Sequence, residues 1–337
     1  MTITAQIAIV EGIDRDRFER QIVPAGQPVI MKSLVADWPA VQTAKTSNAE
    51  VRDYLKALDA HKAMVSVSVL PPGLKGRFFY KEDMSGFNFT VDRRPLSALL
   101  DWLETNELRD DFVTLYAQSQ LLDDLLPKFE AENRFPLLDA AVKGRMWLGN
   151  RVRTQTHFDP SHNIACVVAG KRRFTLFPPE QIDNLYPSPF DTAPGGVPVS
   201  MAAIEEPDFE RYPLLAEALK CGQYGDLEAG DAIYIPYAWW HHVQSLTGFN
   251  ILVNYWWNDA GDDWVAPANA LYAAILAMRD LPPDQKRVWR HIMNRYVFDD
   301  PQAAVAHLPS GGRGAFGPLL GEMRKTMKAY LSRMFQS

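Results

Sequence analysis

Thr154-Gln-Thr-His157-Phe-Asp159 sets a histidine and an aspartate two residues apart, and Tyr234-Ile-Pro-Tyr-Ala-Trp-Trp-His241-His242 supplies two more imidazoles far downstream. On a β-strand, whose side chains repeat every second residue, His157 and Asp159 point to one side and Phe158 to the other. One strand then offers two ligand atoms together. A third must arrive from another part of the fold, and the apolar run Ala232-Ile-Tyr-Ile-Pro236 reads as the strand that carries His241 back to the same pocket. Two imidazoles and one carboxylate on one face leave coordination positions open, which suits non-haem Fe(II) better than a closed structural zinc site. His242 is the rival third ligand, although strand alternation turns it away from His241.

The elements that must position these residues are mostly strands. Met64-Val-Ser-Val-Ser-Val69 alternates strictly, and further strands are expected at 112–116, 146–148, 163–168, 173–177 and 250–256, with Ala169-Gly170-Lys171 as a hairpin turn between two of them. Many short strands closed by turns predict a barrel or sandwich. Before them, residues 1 to about 60 mix strand-like and helical pieces, including a helix through 48–57. Helical periodicity takes over after about residue 265, with a run from Ala268 that stops at Pro282-Pro283, and a last helix striped by Leu320, Met323, Met327, Leu331 and Met334. The expected division is 1–265, a β domain with an α/β elaboration at its start, and 266–337, a helical region. Its apolar stripe suits either packing on the chain's own barrel or self-association as a homodimer.

Composition narrows the function classes. The chain has 337 residues, 47% hydrophobic and 23% charged, as a globular protein has. A formal charge of -6 weighs against generic binding to nucleic acid. Only Cys166 and Cys221 are present, too few for a disulfide framework, and reduced thiols point to a cytoplasmic location. The first residues show no basic, then apolar, export pattern, and apolar runs stay far below the roughly 20 residues that span a bilayer, so no membrane association is expected.

Around the metal-ligand pattern, Thr154, Asn163, Gly170-Lys-Arg-Arg-Phe-Thr-Leu-Phe-Pro-Pro179, Gly230-Asp-Ala-Ile-Tyr-Ile-Pro236, Trp240-His241-His242-Val243 and Val253-Asn254-Tyr-Trp256 follow in order over roughly residues 110 to 260. In these residues the chain resembles the cupin-type JmjC family of Fe(II)- and 2-oxoglutarate-dependent oxygenases (cupin-like domain 8). It is similar to the branch containing the asparaginyl hydroxylase that acts on hypoxia-inducible factor. Asp37-Trp-Pro-Ala40 extends the likeness more loosely toward the start. The resemblance implies a double-stranded β-helix, or jelly roll, with iron near one mouth, and a helical carboxy-terminal region of the kind that forms homodimers.

It also implies roles. His157, Asp159 and His241, the residue directly after the tryptophan, would bind Fe(II). The far carboxylate of 2-oxoglutarate would be met by the basic position two after Gly170, which is Arg172, with Thr154 and Tyr116, while Asn163 and Asn254 add polar contacts. Related chains commonly carry lysine at that position; arginine is longer, planar and able to bind a carboxylate through two N–H groups. Three basic residues beside a turn, Lys171 to Arg173, equally suit a solvated hairpin. Trp256 is placed to line a substrate cavity, and His61, His162, His291 and His307 fall outside the ligand set. The implied activity is hydroxylation of a C–H bond with O2 and 2-oxoglutarate, on a protein or peptide side chain first and a small molecule second. A cupin-fold binding protein without catalysis, and a cupin metalloenzyme that does not use 2-oxoglutarate, are the readings from other classes.

Overall fold

The computed structural model describes residues 3–60, 62–109, 111–258, 265–319 and 321–334. The chain divides into two compact units, Met1–Trp257 and Asn258–Ser337. In the first, the described strands are β1 (Ala5–Gln6), β2 (Ala8–Val10), β3 (Val29–Met31), β4 (Met64–Leu70), β5 (Arg77–Phe78), β6 (Thr90–Pro95), β7 (Thr114–Leu121), β8 (Gly144–Gly149), β9 (Arg153–His157), β10 (His162–Ala169), β11 (Lys171–Phe177), β12 (Gln223–Glu228), β13 (Ala232–Ile235), β14 (Trp240–Ser245) and β15 (Asn250–Trp257). They form a six-stranded sheet, β1-β12-β11-β14-β9-β5, and a nine-stranded sheet, β2-β3-β13-β10-β15-β8-β7-β4-β6.

Strands β10 and β15 read as near-continuous apolar runs because the nine-stranded sheet is covered on both faces. Ile164, Cys166, Val168, Ile251 and Val253 enter a core shared with the helices Asn48–Leu58 and Leu96–Asn106. From those helices come Val51, Leu55, Leu99 and Leu103, each 0% exposed, a burial worth about 1.5–3 kcal/mol per side chain. The alternate residues Ala165, Val167 and Leu252 meet Phe174, Leu176 and Val243 of the six-stranded sheet. The result is mainly β with helices, a jelly roll of the cupin type with helices on its outer face.

Several boundaries differ from those the sequence suggests. Strand β7 starts at Thr114 and runs on to Leu121, through a bulge where its register against β8 slips between Ala117 and Gln120. Strand β6, Thr-Val-Asp-Arg-Arg-Pro, has no apolar alternation to reveal it, because it is an exposed edge strand whose charges discourage further pairing.

In the second unit, helices at Pro267–Met278, Pro283–Met293 and Pro301–Val305 each begin on a proline, whose missing N–H costs nothing in a first turn. The last helix is Gly321–Met334; Leu320, at the head of the expected stripe, lies outside the described residues, as does His61. Ala304 and Val305 are buried, whereas Leu276 is 78% and Phe298 73% exposed. His291 and His307 are exposed. Among the described residues no helix is long and apolar enough to cross a membrane.

Candidate metal centre

Strands β9 and β14 are neighbours in the six-stranded sheet, with His157 directly across from His241 and their ring centroids 4.1 Å apart. Two local expectations need correcting. Strand β9 ends at His157, so Asp159 stands in unpaired backbone beyond it, where its carbonyl accepts from the Ala238 N–H at 3.2 Å. Alternation nonetheless persists, since Phe158 turns the other way and packs on Trp240 at 4.8 Å between ring centroids. His241, for its part, does not continue the strand of Ala232–Ile235. That strand is β13 of the other sheet, and a turn through Ala238 at φ 58 redirects the chain into β14.

One ligand atom from each of His157, Asp159 and His241 lies within 4.8 Å of the others, and Asp159 Oδ2 is 3.5 Å from His241 Nε2. Each imidazole has its Nδ1 against a carbonyl of its own chain segment, Gln155 O at 2.8 Å for His157 and Trp239 O at 3.0 Å for His241. A ring nitrogen facing a carbonyl must carry the proton, which leaves Nε2 as the lone pair for a metal. Burial pushes the Asp159 carboxyl up, opposed by His157 and by the Trp256 indole. Burial holds His241 well below the usual imidazole range, and the nearby His157 adds to this. Two imidazoles whose Nε2 atoms face a desolvated carboxyl fit a divalent cation, whose charge would keep the acid ionised.

His242 faces away, its Nε2 2.9 Å from Glu205 Oε1. Burial raises the Glu205 carboxyl, but the His242 hydrogen bond and charge outweigh it and bring it down to about 2. Glu205 carries no signal of this pairing in the sequence, because nothing local joins residues 205 and 242. His162 is outside the triad: its Nδ1 is 3.0 Å from the Tyr234 hydroxyl and its ring stacks on Trp257.

Beside the triad is a recess lined by Tyr116, Thr154, Asn163, Arg172 and Asn254, so all five residues that the resemblance implies for the cosubstrate meet in one place. Arg172 is 2% exposed, and its Nε and Nη2 have no hydrogen-bond partner. Burial lowers its pKa, with Tyr116 acting against that. Burial likewise raises the Tyr116 hydroxyl, with Arg172 and Thr154 pulling it back. Its neighbours differ: Lys171 and Arg173 pair at the surface with Glu228 at 2.5 Å and Asp226 at 2.7 Å. Gly170 makes this hairpin possible at φ +78, where a Cβ would sit 2.4 Å from the Phe249 carbonyl. A buried guanidinium with unmatched donors is costly unless an anion joins it, and a dicarboxylate fits that requirement. The two asparagines also serve the frame: Asn254 donates to Asn163 Oδ1 at 3.0 Å and accepts from the Trp147 indole at 2.6 Å.

Outside the recess His157 and Asp159 also border a cavity of 550 Å³, with Phe78, Phe89, Trp147 and Trp256 among its walls. Trp256 was foreseeable; Phe78, Phe89 and Trp147 were not.

A jelly roll that brings two histidines and an aspartate to within 4.8 Å of one another, with a buried guanidinium in the adjoining recess, has the outline of a cupin. The chain belongs to the cupin-like domain family, whose sequence pattern matches residues 15–263. It is similar to the lysine-specific demethylase JMJ31 of Arabidopsis thaliana, at 38% identity over 112 residues, 33% of this chain and 20% of that protein. The bifunctional peptidase and (3S)-lysyl hydroxylase JMJD7 of Homo sapiens is 30% identical over 272 residues, 72% of this chain and 80% of that one. The tRNA wybutosine-synthesizing protein 5 of Gallus gallus is 25% identical over 270 residues, 75% of this chain and 77% of that one. The chain thus spans only a fifth of the length of JMJ31.

Proposed function

We propose that the chain is an Fe(II)- and 2-oxoglutarate-dependent oxygenase that hydroxylates a C–H bond of a protein or peptide side chain. The observation that carries this reading is Arg172, a buried guanidinium with two nitrogens unpartnered, in the same recess as a cluster of three potential metal ligands. With both bound, iron and 2-oxoglutarate supply the chemistry: O2 is consumed, the cosubstrate leaves as succinate and CO2, and one oxygen atom enters the substrate C–H bond. His157, Asp159 and His241 hold the metal through two Nε2 atoms and a carboxylate. Arg172 takes the far carboxylate of the cosubstrate, with the hydroxyls of Thr154 and Tyr116 beside it. Asn163 and Asn254 keep the recess floor fixed through their mutual bond. The aromatic walls exclude water around the reacting carbon.

A cupin that only binds would have no need of all three ligands, and the relatives named for hydroxylase and demethylase activity act on lysine, which favours a protein or peptide over a small molecule. Catalysis belongs to residues 1–265 in this reading, and the helical region 266–337 to homodimerisation, supported by its exposed Leu276 and Phe298. Free Cys166 and Cys221 support a reducing, cytoplasmic setting. The test is to incubate peptide fractions of a proteome with the protein, Fe(II) and 2-oxoglutarate. Mass spectrometry should find peptides heavier by one oxygen that vanish when 2-oxoglutarate is omitted or His157 is replaced by alanine. Oxygen gain indifferent to both would count against it.

A further inference from the structure

We infer that the substrate is a peptide in which an acidic residue flanks the oxidised side chain, and that Arg145 receives that carboxylate; for the oxidation itself this rests on the oxygenase reading. Along β8, Met146 and Leu148 enter the core beneath the helices, while Arg145 and Trp147 line the cavity. Apart from the ligand Asp159, Arg145 is the one charged side chain among the described residues that line it.

Arg145 is held in place by neutral groups. Its Nη1 donates to the Ser119 carbonyl at 3.2 Å and to the Ser119 hydroxyl at 3.3 Å, and its guanidinium carbon is 5.7 Å from the Trp256 ring centroid. No carboxylate among the described residues pairs with it. Ser119 sits at φ 50, in the bulge where β7 slips against β8. Left-handed backbone at a residue other than glycine is strained and persists where the surrounding structure imposes it, often beside ligands; here it accompanies both oxygens that hold Arg145. A guanidinium fixed on one edge by neutral acceptors keeps its other N–H groups for a planar anion.

The cavity continues past this point. A second depression of 510 Å³ shares Ser119 and Arg145 with it and adds Arg93, with Asp124 as its single carboxylate. Two adjoining hollows joined at the Ser119–Arg145 lip suit an extended peptide that leaves its target side chain in the first and its acidic neighbour at the lip. A lysine side chain entering the same cavity would meet a guanidinium and find no carboxylate other than Asp159, so the site discriminates against it.

Fluorescence polarisation of the iron-free full chain tests this. Three fluorescein-labelled peptide pools would be used, alike except that the positions flanking a degenerate neutral centre are all glutamate, all glutamine or all lysine. The glutamate pool should bind about tenfold more tightly than the glutamine pool, the scale of one hydrogen bond to a charged group, and the lysine pool most weakly. Arg145→Gln, which removes the charge and leaves a polar side chain, should remove the acid preference while the protein still melts cooperatively, and Arg145→Glu should reverse the order. The inference is overturned if wild-type binding ignores charge, if the acid preference survives in Arg145→Gln, or if a labelled oligoribonucleotide displaces the glutamate pool. Charge-blind binding alongside 2-oxoglutarate-dependent succinate release would sink this inference alone. Acid-selective binding without any such release would sink the oxygenase reading alone.

Discussion

As the proposed anchor of 2-oxoglutarate, Arg172 would set ligand affinity against stability. Without an anion its Nε and Nη2 are buried and unmatched, a burden on the ligand-free fold. Arg172→Met should therefore raise the melting temperature of the ligand-free protein. It should also raise the half-saturating 2-oxoglutarate concentration ten- to a hundredfold, since hydrogen bonds to a charged group are worth about 1.5–3 kcal/mol. Thermal melts and a titration of succinate release read the two effects, and a lower melting temperature with unchanged saturation would refute the assignment. The triad behaves similarly. Burial raises the Asp159 carboxyl above its usual value, so its ionisation at neutral pH weighs on the metal-free protein, and Asp159→Asn should stabilise that form while abolishing the melting shift caused by Mn(II). His241 has the opposite sign. Its folded pKa lies well below 6.5, so the unfolded chain takes up a proton first as pH falls, and stability present above 6.5 declines below it. Urea unfolding in EDTA across that range should show this slope, and His241→Gln should lessen it.

At the scale of elements, β7 and β8 approach so closely that only glycine fits between them. A Cβ on Gly149 would lie 2.5 Å from the Leu115 carbonyl and 3.0 Å from the Tyr116 ring. Gly149→Ala should destabilise the protein by roughly 1–3 kcal/mol, as overpacking does, and should weaken 2-oxoglutarate binding because Tyr116 moves away from Arg172; denaturation curves and the same titration check both. The strands β4, β10 and β15 were legible because their patterns are local: alternation on one, apolar runs on the others. The end of β9 and the passage from β13 to β14 were not, since the run Ala232 to Pro236 carries no signal of which sheet it joins, and the turn at φ 58 falls on Ala238 rather than on a glycine. The triad could be found from sequence because His-X-Asp is a local motif. Its surroundings were harder to find. Periodicity does not tell which of Lys171, Arg172 and Arg173 points inward until the neighbouring sheet is known, and Arg145 was hidden beside a short apolar strand. The Asn254–Asn163 and His242–Glu205 pairs depend on register and on contacts between residues 91 and 37 positions apart in the chain.

For the molecule as a whole, the second unit leaves apolar side chains such as Leu276 and Phe298 exposed, and the proposed homodimer would cover them. Light scattering coupled to gel filtration should give twice the mass of one chain, and the doubly substituted Leu276→Glu, Phe298→Glu protein should elute as a monomer; a wild-type monomer would remove the dimer from the account. What the fold exists to do is decided most directly at the metal centre. Under strictly anaerobic conditions, Fe(II) and 2-oxoglutarate added together to the folded protein should produce a visible charge-transfer absorption that neither produces alone. Arg172→Met should need far more 2-oxoglutarate to reach it. A correctly folded wild-type protein that binds Fe(II) but shows no such band at saturating 2-oxoglutarate would contradict the central claim.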